Sequence, residues 1–236
     1  MLHAKKEKKT ATAIIVAAGS GSRMSKTQNK QFIMLHDMPV LAHAIKKFQL
    51  SDRIDSIIVV TKAESIPLVN DLIRDFDFAK VTDVVAGGET RKDSVNCGLA
   101  LVPNGKVVAI HDGARPFVST ELIDKLISAA YEFGAAAPGV VPKDTVKTVS
   151  KDCSVLETPD RQTLRLIQTP QVFFSDDLKL AYIRAEEMGF AGTDDCSVLE
   201  NMGLSIHIVS GEYTNIKVTT PDDIPIAEAI CDFLEQ

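Results

Sequence analysis

The stretch A-I-I-V-A-A-G-S-G-S-R-M, residues 13–24, decides the fold. Residues 13–18 are a short apolar run that stops at glycines, the pattern of a strand buried on both faces. Three more such runs follow, at residues 56–61, 81–86 and 106–111. Between them apolar side chains fall at helical spacing: Leu41, Ala44, Ile45 and Phe48, then Leu68, Leu72, Ile73 and Phe76, then Val95, Leu99 and Val102. Strand, helix and strand in alternation imply right-handed crossovers and a mainly parallel sheet with helices on both faces, an α/β sandwich. Ligands of such sheets sit beyond the carboxyl ends of the strands, so chemistry is sought in the residues just after each run.

Further along, residues 120–133 read as a helix and 135–141 as the next buried strand. Residues 142–165 change texture: two polar and β-branched alternating runs joined by a polar turn read as a hairpin with little core of its own. It is either an arm that leans on a partner subunit or an ordinary exposed hairpin. The rest returns to strand at 171–174, helix at 176–188 and 194–201, strand at 204–209 and 216–219, and a closing helix at 222–234.

The 236 residues carry 26 Lys plus Arg against 32 Asp plus Glu, a formal charge of −6, with 45% hydrophobic residues. That is an ordinary globular composition, long enough to bury a core without staples. The acidic balance argues against non-specific nucleic-acid binding, so any polyanion must meet locally focused positive charge. Cys97, Cys153, Cys196 and Cys231 are widely spaced with no C-x-x-C, which signals neither zinc nor a disulfide framework. No apolar run approaches the roughly 18–20 residues that span a bilayer, and the lysine-rich start has no apolar segment behind it. The expectation is a soluble, cytoplasmic protein with a flexible tail over residues 1–11 and one domain over 12–236.

Three clusters follow the strands. In A-A-G-S-G-S-R-M, residues 17–24, the glycines let backbone N–H groups approach an anion, and Arg23 and Lys30 add side-chain cations suited to a triphosphate. It is neither the dinucleotide fingerprint, which needs glycine where Met24 stands, nor a Walker loop. In A-G-G-E-T-R-K-D-S-V, residues 86–95, Gly87 and Gly88 offer backbone to a base edge and Ser94 sits about one turn into a helix, while Thr90 and Asp93 form a capping box. In H-D-G-A-R-P, residues 111–116, Asp112 at a strand end can hold magnesium together with phosphate oxygens, and Arg115 can pair with it or touch substrate. His111 reads as a packed strand-end histidine, and His36, His43 and His207 as structural or solvated.

These clusters in this order, followed by D-T-V-K at 144–147, T-P-D-R at 158–161, Q-T-P-Q-x-F at 168–173, T-D-D at 193–195 and N-I-K-V-T-T-P-D-D at 215–223, resemble the 2-C-methyl-D-erythritol 4-phosphate cytidylyltransferases over nearly the whole chain. The resemblance implies a Rossmann-like three-layer sandwich of the nucleotide-diphospho-sugar transferase type. It implies an enzyme that joins CTP and methylerythritol phosphate, with a divalent metal, and a homodimer whose 142–165 arms reach into the neighbouring site. It further implies Arg23 and Lys30 as the transition-state-stabilising pair and Asp112 as metal ligand. Ala17, Ala18, Gly19, Gly88, Glu89, Ser94 and Arg115 correspond to nucleotide contacts. Thr145, Arg161, Thr169, Thr193 and Lys217 correspond to positions around methylerythritol phosphate, with Arg161 supplied by the other subunit. Two positions depart from the pattern: Asn29 stands where the family usually has proline before K-Q, and Thr214 where an acidic residue commonly precedes N-I-K. The nearest rival is a cytidylyltransferase for another polyol phosphate such as ribitol 5-phosphate, disfavoured by A-A-G in place of G-G in the first loop.

Overall fold

The computed structural model describes residues 9–19 and 30–235, with the backbone alone at Lys30. In chain order the elements are β1 (Ala11–Val16), β2 (Met34–Leu35), β3 (Met38–Pro39), α1 (Val40–Leu50), β4 (Ile54–Thr61), α2 (Ile66–Asp75), β5 (Val81–Ala86), α3 (Arg91–Leu99), β6 (Val107–Asp112), α4 (Thr120–Phe133) and β7 (Ala135–Val140). There follow β8 (Thr148–Val149), β9 (Val155–Glu157), β10 (Leu166–Ile167), β11 (Gln171–Phe174), α5 (Ser175–Glu187), α6 (Asp195–Glu200), β12 (His207–Ser210) and α7 (Asp223–Leu234).

The central sheet runs β10-β7-β11-β6-β1-β4-β5, with β12 beside β7 off that path. The pairs β1–β4, β1–β6, β4–β5 and β12–β7 are parallel, whereas β11 lies antiparallel between β6 and β7. The mainly parallel α/β sandwich read from the sequence is therefore present, with β11 reversed inside it and the short β10 also antiparallel to β7. Alternation along each strand sorts side chains onto two faces. Ala13, Ile15, Val107 and Ala109 pack with Leu41, Phe48, Leu122 and Ile123 of α1 and α4. Ile14, Val108 and Ile110 pack with Val95, Leu99, Leu178 and Ala181 of α3 and α5.

Ala11 is 3% exposed and already paired in β1, so the strand starts one residue inside the expected tail; residues 1–8 of that tail lie outside the described residues. Residues 216–219, read as a strand, form no ladder. The segment is held by Val218 N–H donating to Ala114 O at 2.8 Å, while Ile216 and Val218 pack under α7. Its apolar alternation reflects one buried side rather than strand pairing. The 142–165 hairpin is present: β8 and β9 pair antiparallel, and Val149, Val155 and Leu156 stand exposed.

Candidate active site

At the carboxyl ends of β1, β5 and β6 lies a cavity of about 410 Å³, within the range of small-ligand sites. Its wall includes Ala18 and Gly19 after β1, Lys62 after β4, Gly88, Glu89, Arg91 and Ser94 around the start of α3, and Asp112 at the end of β6. Lys217 reaches in from the segment before α7.

Local chemistry fixes each wall. Gln31, 3% exposed, donates its amide to Ala17 O and, at 3.4 Å, to Gly19 O, tying the short 3-10 helix Lys30–Phe32 to the residues after β1. Thr90 caps α3: its hydroxyl accepts from Asp93 N–H at 3.1 Å while the Asp93 carboxylate accepts from Thr90 N–H at 3.0 Å. This is the capping box expected from T-R-K-D. Ser94 Oγ donates back to Thr90 O at 2.9 Å. Gly87 is required here by close approach, since a Cβ would lie 2.6 Å from both Ala18 Cβ and Ser94 Oγ.

Asp112 is 8% exposed and ringed by cations: Arg91 Nε donates to Oδ1 at 3.1 Å, Lys217 Nζ sits 2.7 Å from Oδ2, and Arg115 Nε lies 4.0 Å from Oδ2. Burial alone would raise its pKa, but Arg91, Lys217 and Arg115 overcome it and hold the carboxyl well below the usual carboxylate range. Behind it, Arg115 Nη1 donates to Asn215 O at 2.7 Å, and the Asn215 amide donates to Thr169 O at 2.9 Å, so the 112–115 loop is stitched to the segment bearing Lys217. The Asp223 carboxylate anchors the far end of that segment, accepting from Thr219 N–H at 2.7 Å and Thr220 N–H at 2.8 Å.

His111 is fully buried, its Nε2 2.9 Å from Arg115 O and its Nδ1 3.0 Å from Thr169 Oγ1. Burial pushes its pKa down to about 4, so it is neutral at pH 7. The expectation of a packed histidine is met. His43, half-buried, bonds Leu35 O at 3.0 Å; His207 stacks on Phe133 with centroids 3.9 Å apart.

Of the sequence-derived site residues, Ala18, Gly19, Gly88, Glu89, Ser94, Asp112 and Lys217 line this one cavity, and Ala17 lies buried beside it. Arg23 lies outside the described residues, and Lys30 is described only as the first residue of its 3-10 helix. Arg115 stands behind Asp112 rather than on the wall. Thr193 is exposed on a small adjoining hollow that shares Arg91. Thr169 is 5% exposed, and its hydroxyl is engaged by His111 and by Asp112 N–H at 3.1 Å. Thr145 and Arg161 are exposed on the arm, where Arg161 Nη1 donates to Lys143 O at 2.8 Å.

The sequence reading assigned no role to Arg91, Lys62 or Gln31. For Arg91 a signal was available: a cation at the first position of α3 faces the positive end of the helix dipole and needs carboxylate partners to be held there. For a divalent metal, the donor set is thin. No group of three or more His, Cys, Asp or Glu side chains converges among the described residues. Asp112 alone fits a magnesium ion that keeps waters and takes its other ligands from bound phosphates, the usual manner of nucleotide-borne magnesium.

Comparison with known proteins agrees with this geometry. The family model described as 2-C-methyl-D-erythritol 4-phosphate cytidylyltransferase matches residues 11–232. Proteins of that name from Clostridium acetobutylicum and Alkaliphilus metalliredigens are 44% and 46% identical to this chain, covering 92% and 93% of it and 96% and 92% of their own lengths. The crystal structure of 4-diphosphocytidyl-2C-methyl-D-erythritol synthase from Anaerococcus prevotii superposes with a TM-score of 0.85 at 33% identity, covering 97% of each chain. The crystal structure of the Thermus thermophilus cytidylyltransferase gives 0.77 at 28%, covering 94% of this chain and 99% of that one. With a cavity built at the strand ends from the motif residues, and with a match from β1 into α7, the chain belongs to the 2-C-methyl-D-erythritol 4-phosphate cytidylyltransferase family.

Proposed function

We propose that the cavity at the ends of β1, β5 and β6 binds CTP and that the residues around Asp112 and Lys217 bring methylerythritol phosphate to it. The enzyme is a nucleotidyltransferase that moves a cytidylyl group from CTP to 2-C-methyl-D-erythritol 4-phosphate, giving 4-diphosphocytidyl-2-C-methyl-D-erythritol and pyrophosphate for isoprenoid precursor synthesis. The observation that carries the site assignment is the convergence of Gly19, Gly88, Ser94, Asp112 and Lys217 on one wall.

A phosphate oxygen of the second substrate attacks the α-phosphorus of CTP in line, a new P–O bond forms, and the bond to the β-phosphate breaks with pyrophosphate as leaving group. The nucleophile is already an anion near neutral pH, so no general base is required, and His111, neutral and enclosed, stays out of the reaction. Catalysis is then positioning and charge neutralisation. Backbone at 17–19 and 87–88 and the Ser94 hydroxyl take the nucleotide. Arg23 and Lys30 counter charge on the triphosphate, and Lys217 holds the attacking phosphate. Asp112 is the residue that would hold a divalent cation, which would supply charge neutralisation for the phosphates. Thr193 flanks the second substrate, and Arg115 and Thr169 support Asp112 from behind.

Thr145 and Arg161 serve the site of a second copy. Both stand exposed on a hairpin whose Val149, Val155 and Leu156 are 54%, 59% and 69% exposed, an apolar surface that a homodimer would cover. The protein works in the cytoplasm as a single-domain subunit, and no described helix is long and apolar enough to cross a membrane. The test is release of pyrophosphate from each nucleoside triphosphate with methylerythritol phosphate or ribitol 5-phosphate. Release confined to CTP with methylerythritol phosphate is the expected result; preference for ribitol 5-phosphate would reassign the substrate.

A further inference from the structure

Arg91 sits between two carboxylates. Its Nε donates to Asp112 Oδ1 at 3.1 Å, its Nη1 donates to Asp195 Oδ1 at 3.0 Å, and its Nη2 lies 2.9 Å from Asp195 Oδ2. The guanidinium thus hydrogen-bonds Asp195 through Nη1 and Asp112 through Nε, with Nη2 at ion-pair distance from the second Asp195 oxygen. Asp195 is itself immobilised: it is 1% exposed, the Tyr182 hydroxyl donates to its Oδ1, and its backbone N–H donates to Gln171 Oε1 at 3.1 Å. Gln171 belongs to β11, so the carboxylate that orients Arg91 is anchored to the central sheet.

Buried ion pairs contribute little net stability, because desolvation offsets most of the attraction. Their use here is directional. With Oδ1 taken by Arg91, the other Asp112 oxygen is turned toward Lys217 and the cavity. We propose that Arg91, held by Asp195 and Tyr182, is a positioning residue that fixes the Asp112 carboxylate so that Oδ2 faces the ligand. A lysine at position 91 would keep the charge but has no planar fork with which to hold two carboxylates at once. This inference rests on the reading that Asp112 meets the nucleotide's phosphates and their cation.

The experiment measures binding of manganese–CTP at equilibrium without the second substrate, by the paramagnetic signal of free Mn²⁺, in wild type, Arg91→Lys and Asp195→Asn. Steady-state kinetics and thermal unfolding accompany it. Outer residues that orient a metal-binding side chain typically change affinity by about 10–100-fold, and a loss of roughly tenfold or more is expected in both variants, with a fall in kcat and KM for methylerythritol phosphate little changed. If Asp195→Asn does not fold, Tyr182→Phe, which removes only the hydroxyl behind it, takes its place with a loss in the same direction. Wild-type affinity in Arg91→Lys would show that charge alone matters and overturn the proposal, as would wild-type affinity in the Asp195 or Tyr182 variant. A wild-type enzyme that releases no pyrophosphate from CTP would instead remove the functional reading on which the proposal stands.

Discussion

Thr169, two residues before β11 begins, and His111, one before β6 ends, are joined by a buried hydrogen bond of 3.0 Å between Oγ1 and Nδ1. Because Arg115 O can only accept, the proton of the neutral ring resides on Nε2, and the Thr169 hydroxyl donates to Nδ1 while accepting from Asp112 N–H. The arrangement depends on an uncharged imidazole.

That dependence predicts acid sensitivity. The His111 pKa falls from 6.5 to about 4 on folding, so between those values the unfolded chain binds more protons and stability declines as pH drops. A shift of this size corresponds to about 3 kcal/mol, fully present above pH 6.5 and gone below pH 4. Denaturant titrations at a series of pH values should show the slope, and His111→Gln should flatten it; an unchanged slope in that variant would assign the effect elsewhere.

Replacing Asp112 with asparagine leaves Arg91, Lys217 and Arg115 without their shared counter-charge. Calorimetry with EDTA present should find metal-free CTP bound more tightly by Asp112→Asn than by wild type. Turnover with magnesium should nevertheless fall by about 10²-fold, the usual order for losing one preorganised electrostatic group. Weaker metal-free binding would contradict the cationic wall described here.

Gly87→Ala places a methyl 2.6 Å from both Ala18 and Ser94, so the loop after β1 must move off α3. Overpacking of this kind costs about 1–3 kcal/mol. The melting temperature should drop and KM for CTP rise, with KM for the polyol phosphate nearly constant. A KM for CTP equal to wild type would mean that this contact does not shape the nucleotide site.

On the proposed role of Lys30 in countering triphosphate charge, Lys30→Ala is expected to lower kcat by on the order of 10²–10³. Stopped assays of pyrophosphate release suffice, and near-wild-type turnover would exclude Lys30 from the chemistry.

On the arm, Leu156→Asp puts a charge on a side chain that is 69% exposed in the single chain. On the proposed homodimer, sedimentation velocity should show a shift toward monomer at low protein concentration, accompanied by a higher KM for methylerythritol phosphate, since that dimer would bring Thr145 and Arg161 to the neighbouring site. A monomeric wild type with full activity would make the hairpin an ornament of the surface.

The sequence made the layers and the cavity floor legible because both obey short-range rules. Mostly apolar runs marked β1, β4 and β6, and T-R-K-D marked the start of α3 at the right residue, whereas V-T-D-V-V-A of β5, read as buried on both faces, is a partly exposed edge strand. What was hidden depends on partners far away in the chain. Arg91 meets Asp195 across 104 positions, and Gln31 meets Ala17 across 14, with no periodicity that could announce either pair. Residues 216–219 deceived for the opposite reason: their local pattern is strand-like, but the neighbour that completes the contact is a single carbonyl of the 113–115 turn. Thr169 shows the same limit at one residue, since its hydroxyl's destination follows from a histidine that precedes it by 58 positions.

The reversed direction of β11 has a practical corollary. Its first residues arrive where β6 finishes, so functional groups can be delivered to the mouth by a strand entering as well as by strands leaving. The opposite rim of the sheet is thereby relieved of chemical duty: the connections at 51–53, 76–80 and 100–106 all turn there. Gly105, with φ +75° and nothing within 4 Å of where a Cβ would stand, occupies one of those bends. An affinity peptide or fluorescent reporter spliced there would sit a full strand length from catalysis.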